Sequence, residues 1–524
     1  MRSFSGPGMS PFPALDVGPE RATDAMERSD VSIDGFLTFL GLIAALIALA
    51  PEATRRGLFL RWQFNLGATV LAFGVILYLL LFDLIAPACG AGSLCAILEL
   101  GEDRWIDPRD ASFLVVLAWF GLVSLGLFWR RPLLTRHLSG LAALAAAFAA
   151  EKRFLELSQL IQPHLDLVAQ AAGDSDPRHA KAHHAAKAIQ RLLFERQDLV
   201  EFIALERPGL AIAMMDQKHH RVFGFADRAL TLLAERPGSL LYTEIANNQT
   251  ITGRGYLIRP ENTYLSYLFG DARHADRLMA WQPVMDAALD RLEEARGEPY
   301  ERFLNQKPVR FDDHRWRDPT FVAIRYLDLM VDAALRQNVP FHTSLLYVPQ
   351  LSDRLIALYD DAGEGVDRDA ETPNRAGYLI MTLVTATKDW IQAVVDLPTG
   401  AYHLKIETEQ VTLQGDNIPK SAILTLGDVM ADVLLAPNLG DGFKRHLAEV
   451  AFRLVRNLPG DGDRAVFRRA LIQSLVHGGP HHRRGHLAEL RRALNLEDPE
   501  LRMRLADLSE AIEARLDYVC DKLA

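Results

Sequence analysis

Three stretches of this 524-residue chain carry no charged side chain. They run 35–51, 62–82 and 111–129, bounded by Asp34 and Glu52, by Arg61 and Asp83, and by Asp110 and Arg130. Crossing a hydrocarbon core takes roughly 17–25 apolar residues in a helix. The second and third stretches meet that length and the first only just does. The competing reading is a helix buried in a protein core, but core helices rarely go so long without a charge. A cleaved signal peptide fits the first stretch poorly despite Ala48-Leu49-Ala50. The residues before it are acidic, with Asp24, Glu27, Asp30 and Asp34 against Arg21 and Arg28. The pattern predicts a polar, disordered tail over 1–34 and a membrane region over 35–131 with three transmembrane helices.

Lysine and arginine set the orientation of such a region. Arg55, Arg56 and Arg61 occupy the first loop, and Arg130, Arg131, Arg136, Lys152 and Arg153 follow the third stretch. The second loop is acidic, with Asp83, Glu99, Glu102, Asp103, Asp107 and Asp110 against Arg104 and Arg109. The N-terminus is therefore expected outside and the long C-terminal body in the cytoplasm. The preference for Arg over Lys, with abundant Ala and Gly, suggests the inner membrane of a bacterium with a GC-rich genome. A further apolar stretch, 137–150, reaches only about 21 Å as a helix and is expected as the interfacial start of a cytosolic helix. Cys89 and Cys95 fall in the outer loop on either side of a glycine-rich turn. They are a candidate disulfide there, with two unpaired thiols as the alternative.

The three spans contain no Asp, Glu, Lys, Arg or His. Pumps, proton relays and voltage sensors carry ionisable groups in the membrane, so anchoring is the expected role. The small-residue pairs Gly41/Ala45 and Gly67/Gly74 leave a homo-oligomer open, and with it an oligomeric pore.

From Glu151 onward the apolar spacing is helical. The fold expected is mainly α: three N-terminal transmembrane helices, then a large irregular all-α cytosolic domain with at most a short β-hairpin, near Tyr402–Leu413. Ile189, Leu192, Leu193, Leu199 and Ile203 fall at helical spacing within Arg178–Glu206. Asp318-Pro319 and Asp498-Pro499 read as an N-cap followed by proline in the first turn. The first of these opens a helix with Val322, Tyr326, Leu327, Met330 and Ala334 on one face. The second opens a stripe of Leu501, Leu505, Leu508, Ile512, Leu516, Val519 and Leu523. Breaks are expected at Pro237-Gly238, Pro459-Gly460 and Gly478-Gly479-Pro480. An acidic linker over 360–374 separates a helical lobe 132–359 from a C-terminal lobe 375–524.

Signatures of known chemistry are missing: no Walker A loop, no HExxH, no GxSxG and no CxxC. Gly460 to Ala465 matches a GxGxxA string but follows a helical run instead of a strand, so it reads as a turn. Asp360 to Glu371 half-resembles a calcium loop, yet Ala362 removes a ligand. His179, His183 and His184, the group His477, His481, His482 and His486, and Asp312-Asp313-His314 all lack a metal-binding context. Arginines surround the last two groups. No catalytic residue, metal or cofactor is assigned.

The most site-like segment is Tyr242–Tyr264. Helical spacing would put Glu244, Asn247 and Asn248 on one face near Arg254, as a candidate ligand site. The competing reading is a helix end whose amides cap backbone groups. The tract Arg453–Arg492 is basic, and Arg468, Arg469, Arg491 and Arg492 are a candidate patch for anionic lipid headgroups. Only Phe452 and Phe467 lie near it, so no nucleic-acid surface is expected, and the net charge of −10 agrees. The function expected is that of a membrane-held, non-catalytic scaffold, sensor or effector contacting lipid and a protein partner or a second copy. A membrane-anchored enzyme or small-ligand binder with a site near 244–262 is the alternative.

Overall fold

A computed structural model describes residues 41, 67, 70–79, 112–121, 134–174, 176–217, 222–248, 259–308, 313–339, 343–363, 366–405, 417–478 and 485–523. The chain forms two compact units, Met1–Leu133 and Leu134–Ala524. It is mainly helical, with no strand among the described residues.

In the first unit, residues 70–79 and 112–121 are helical. Both stretches turn large apolar side chains outward: Val70, Leu71, Phe73 and Leu77 on one, Phe113, Leu114 and Leu117 on the other. Their covered positions are Ala72, Ile76, Ser112 and Val116. Among the described residues no helix is long and apolar enough to cross a membrane. Most of the three expected spans lies outside the described residues, as do Cys89 and Cys95.

The second unit begins with α1 (Leu138–Ala150), α2 (Phe154–Ile161), α3 (Leu165–Gly173), α4 (Ala180–Glu195), α5 (Gln197–Glu206), α6 (Pro208–Met215) and α7 (Val222–Glu235). It continues through α8 (Leu240–Asn247), α9 (Tyr264–Gly270), α10 (Ala272–Leu278), α11 (Trp281–Glu293), α12 (Pro299–Leu304), α13 (Pro319–Arg336) and α14 (Tyr347–Leu358). It ends with α15 (Arg375–Gln392), α16 (Ile418–Leu435), α17 (Asp441–Asn457), α18 (Ala465–His477), α19 (His486–Asn495), α20 (Pro499–Arg504) and α21 (Ala506–Leu523).

Packing is handed along the chain. Helix α4 packs on α1, α3 and α7, α7 on α11, and α11 on α13 and α14. Those two pack on α15, α15 on α16 and α17, α16 on α18 and α19, and these last on α21. Large rings fill the seams: Phe148, Phe225, Tyr264, Phe269, Tyr326, Phe443, Phe452 and Phe467 are fully buried. Burial of each contributes about 1.5–3 kcal/mol.

Local chemistry accounts for many of the boundaries. Asp318 accepts from Thr320 N and Phe321 N at the start of α13, and Asp498 from Glu500 N at the start of α20. Asn374 and Asn417 do the same for α15 and α16. Each such cap satisfies amides that the first turn leaves orphaned. Gly478 ends α18 at φ +69°, the left-handed conformation glycine adopts without a Cβ penalty. The predicted face of α13 is buried, and so are Ile324, Leu329 and Val331, so this helix is covered on more than the expected stripe.

Packing adds to or changes four expectations. The stretch 137–150 is a helix with one face packed within the second unit. Leu138, Leu141, Ala145, Phe148 and Ala149 of α1 are buried within the second unit, where α4 covers them. The helical stretch Arg178–Glu206 divides at Arg196, whose backbone is extended (ψ 109°) and whose guanidinium forks onto Asp198 at 2.7 and 3.0 Å. The last stripe also breaks, between α20 and α21, with Leu505, Leu508 and Ile512 fully buried. Tyr402–Leu404 is a single 3-10 turn instead of the start of a strand. The Tyr402 amide donates to the Asn338 side chain at 2.9 Å, and no strand lies beside it among the described residues. Residues 406–413 of that candidate lie outside the described residues.

The acidic segment 360–374 is fastened at both ends. Asn374 Nδ2 donates to Asn305 Oδ1 (3.1 Å) and to Asp360 O (2.8 Å), while Asn305 Nδ2 donates to Leu358 O (2.8 Å).

Candidate functional site: an arginine-lined cleft

Glu244 lies on α8 and is almost fully buried. Its Oε1 accepts from Thr263 N (2.6 Å) and Tyr264 N (3.2 Å), and its Oε2 accepts from Leu265 N (2.9 Å). One carboxylate therefore caps the N-terminus of α9. Burial raises the Glu244 pKa, and the three amides draw it back. Asn248 Nδ2 donates to Glu244 O (2.5 Å), and its Oδ1 accepts from Arg259 N (3.1 Å). Both side chains thus fasten backbone. Asn247 is exposed and borders a hollow, while Arg254 lies outside the described residues.

The hollow beside Asn247 is about 370 Å³, lined also by Tyr242, Thr243, Trp316 and Arg317. Arg317 is shared with a larger cleft of about 900 Å³ between α7, α11, α12 and the starts of α13 and α15. The floor of that cleft is aromatic. Tyr300 and Phe303 lie nearly parallel, 6.0 Å apart at 16°. The Arg291 guanidinium sits 4.7 Å over the Tyr300 ring, and Arg375 sits 4.2 Å over Phe303. Ring quadrupoles attract such cations and hold them in place. The Arg375 amide donates to Gln306 O at 3.0 Å, fixing where α15 enters the cleft.

Beneath the rings, Tyr300 Oη donates to Asp318 Oδ1 (2.7 Å) and lies 2.9 Å from Thr320 Oγ1. Burial pushes the Asp318 pKa up, while the Tyr300 hydroxyl, the helix amides and the nearby Arg375 charge oppose the rise. The Tyr300 phenol is held far above its ordinary range, first by burial and then by Asp318, so it stays a donor. Glu235, Asp290 and Glu294 form the acidic wall of the cleft. Arg291 and Arg317 have no carboxylate within ion-pair distance among the described residues. The Asp318 carboxylate at the floor is already engaged, and guanidinium groups do not titrate. The arrangement suits holding a ligand better than moving a proton.

Other sequence candidates are tied elsewhere. His179 Nδ1 lies 2.7 Å from Asp174 Oδ2, and His183 Nδ1 lies 3.3 Å from Ala171 O. His486 Nε2 lies 2.8 Å from Leu475 O, while His481 and His482 lie outside the described residues. Among the described residues no group of His, Cys, Asp and Glu is placed to hold a metal.

The basic tract is laced into the fold. Arg468 donates to both Asp507 oxygens (2.7 and 2.8 Å), to Val455 O (2.8 Å) and to Arg504 O (3.1 Å). Its side chain is only 13% exposed, unlike the outward-pointing group its pattern suggests. Arg491 pairs with Glu513, and Arg492 with Asp441 and Glu489. Arg469 is exposed.

Sequence spacing does not single out Arg291, Arg317, Arg375, Tyr300 or Phe303. The signal nearest to them is the Asp318-Pro319 cap, which lines the cleft. No protein-family model, curated protein or solved structure matches this chain, so the chemistry of the cleft itself has to carry the functional reading.

Proposed function

We propose that this protein is a membrane-anchored helical sensor: residues 35–51, 62–82 and 111–129 hold it in a bilayer, and the Leu134–Ala524 unit binds a ligand without transforming it. The observation that carries the anchoring is the inverted helix surface of the first unit. Val70, Leu71 and Phe73 are 65%, 71% and 62% exposed while Ala72 and Ile76 are covered. Large outward apolar side chains in water forfeit about 25 cal/mol per Å² of surface, and acyl chains remove that penalty. The arginine bias of the flanking loops supports an outer N-terminus and a cytoplasmic body.

The cleft favours sensing over pure scaffolding. Its volume falls within the range of about 300–1,000 Å³ usual for small-molecule sites, and among the described residues two of its arginines, Arg291 and Arg317, have no carboxylate within ion-pair distance.

Membrane fractionation tests the anchoring. The full chain should stay in the membrane pellet through an alkaline carbonate wash and leave it only with detergent. Release by carbonate alone would remove the anchoring reading. Reporters fused after Ala524 and placed near Gly101 should report cytoplasm and exterior respectively, and reversed signals would overturn the orientation.

A further inference from the structure

We propose that the cleft binds a phosphate monoester bearing free hydroxyl groups. Arg291 and Arg317 grip the phosphate, and Glu235, Asp290 and Glu294 accept from the hydroxyls. This names the ligand class for the sensing reading above and rests on it.

The charge pattern selects the ligand. Asp290 and Glu294 line the same cleft as Arg291, yet neither is within ion-pair distance of it. The Tyr300 ring holds the Arg291 guanidinium by its face. A guanidinium seated on a ring keeps its N–H groups in plane, directed sideways at an acceptor. Arg317 is exposed and has no ion-pair partner among the described residues. Two such cations match the double charge of a phosphate monoester better than the single charge of a carboxylate, and forked N–H donation suits phosphate oxygens.

The remaining walls narrow the class further. At the floor, the Arg375 guanidinium over the Phe303 ring adds a positive charge whose field reaches the Asp318 carboxylate. The first amides of α13 are already taken by Asp318, so the helix terminus adds nothing to the grip. Three carboxylates opposite the arginines would repel a polyphosphate but accept hydrogen bonds from hydroxyls. A phosphate alone would leave most of the 900 Å³ empty, whereas a sugar-sized body fills more of it and lies against the Tyr300 and Phe303 rings.

The test uses the full-length chain in detergent micelles, titrated calorimetrically with ribose 5-phosphate, ribose and inorganic phosphate. Ribose 5-phosphate should saturate one site, inorganic phosphate should bind more weakly, and ribose should show no measurable binding. R291Q and R317Q should each weaken ribose 5-phosphate about tenfold or more, since each removes charge-assisted hydrogen bonds. Among the described residues neither arginine has a carboxylate partner, so R317Q should melt like the parent and R291Q, which gives up its contact with the Tyr300 ring, only slightly below it. R504Q, which breaks a pair with Glu500 outside the cleft, should bind like the parent.

Vesicles carrying a phosphoinositide monophosphate separate a lipid-borne ligand from a soluble one. Retention that R291Q and R317Q abolish, without ribose 5-phosphate binding, assigns the site to the lipid form of the same chemistry. Binding unchanged within twofold in both variants overturns the proposal, as does no binding of either form. Anchoring is read separately from the carbonate wash, so loss of the ligand claim leaves it standing.

Discussion

Two arginine-bearing regions of the second unit behave in opposite ways. The tract Arg453–Arg492 carries nine arginines, yet several of those described are tied into the fold. Arg453 pairs with Glu449, Arg464 donates to the carbonyls of Val395 and Leu397, and Arg468 joins α18 to α17, α20 and α21. The cleft draws single arginines from three separated places, 291, 317 and 375, and the first two have no carboxylate partner among the described residues. A run of like charges along a chain says how many cations there are. Whether they can meet a ligand depends on what the tertiary fold sets against them.

This contrast predicts that tied groups govern stability and untied ones govern binding. The largest stability effect belongs to the carboxylate that sequence spacing placed in a site. Glu244→Ala leaves three N-terminal amides of α9 without their acceptor, and chemical denaturation should show a loss of about 3 kcal/mol or more. A change below about 1 kcal/mol would return Glu244 to the list of ligand residues. Arg468→Ala comes next, with a loss of about 2 kcal/mol, because two carbonyls and Asp507 lose their donor together. If Arg468→Ala and Arg317→Ala melt alike, the distinction between the regions fails.

A smaller effect is read against pH. The hydrogen bonds from Arg468 hold the Asp507 pKa below its ordinary value. A depressed carboxylate stabilises the fold above its unfolded pKa and loses that contribution as pH falls through the folded value. The melting temperature of Asp507→Asn should therefore lie below that of the parent at neutral pH, and the two should converge below pH ~3.9. A gap constant down to pH 3 would mean that Asp507 acts by packing alone. Smallest of all, Arg491→Gln and Arg492→Gln should each shift stability by about 0.5 kcal/mol or less, as exposed pairs do.

Local rules in the sequence located the caps at Asp318 and Asp498, the breaks at Pro237-Gly238, Pro459-Gly460 and Gly478, and the buried face of α13. These depend on neighbours within a turn or two. The kink at Arg196 escaped because Ala180–Glu206 keeps helical spacing through it, and only the local Arg196–Asp198 fork marks the break. Glu244 was placed by helical phase among its neighbours, but its carboxylate reaches forward to Thr263, Tyr264 and Leu265. The cleft was invisible for the same reason, since α7, α11, α12, α13 and α15 meet there only after packing. The apolar stretch 137–150 shows that hydropathy identifies what must be covered without saying by what. Helix α4 covers it.

The paired amides of Asn305 and Asn374 bear on how this protein would be digested. They close the acidic segment into a loop whose ends are stitched to Leu358 and Asp360, while α13 and α14 pack directly on α15. A protease that nicked the exposed stretch around Asp367 would cut the chain without parting it. The two fragments would migrate together on a sizing column and separate only when the shared core was melted.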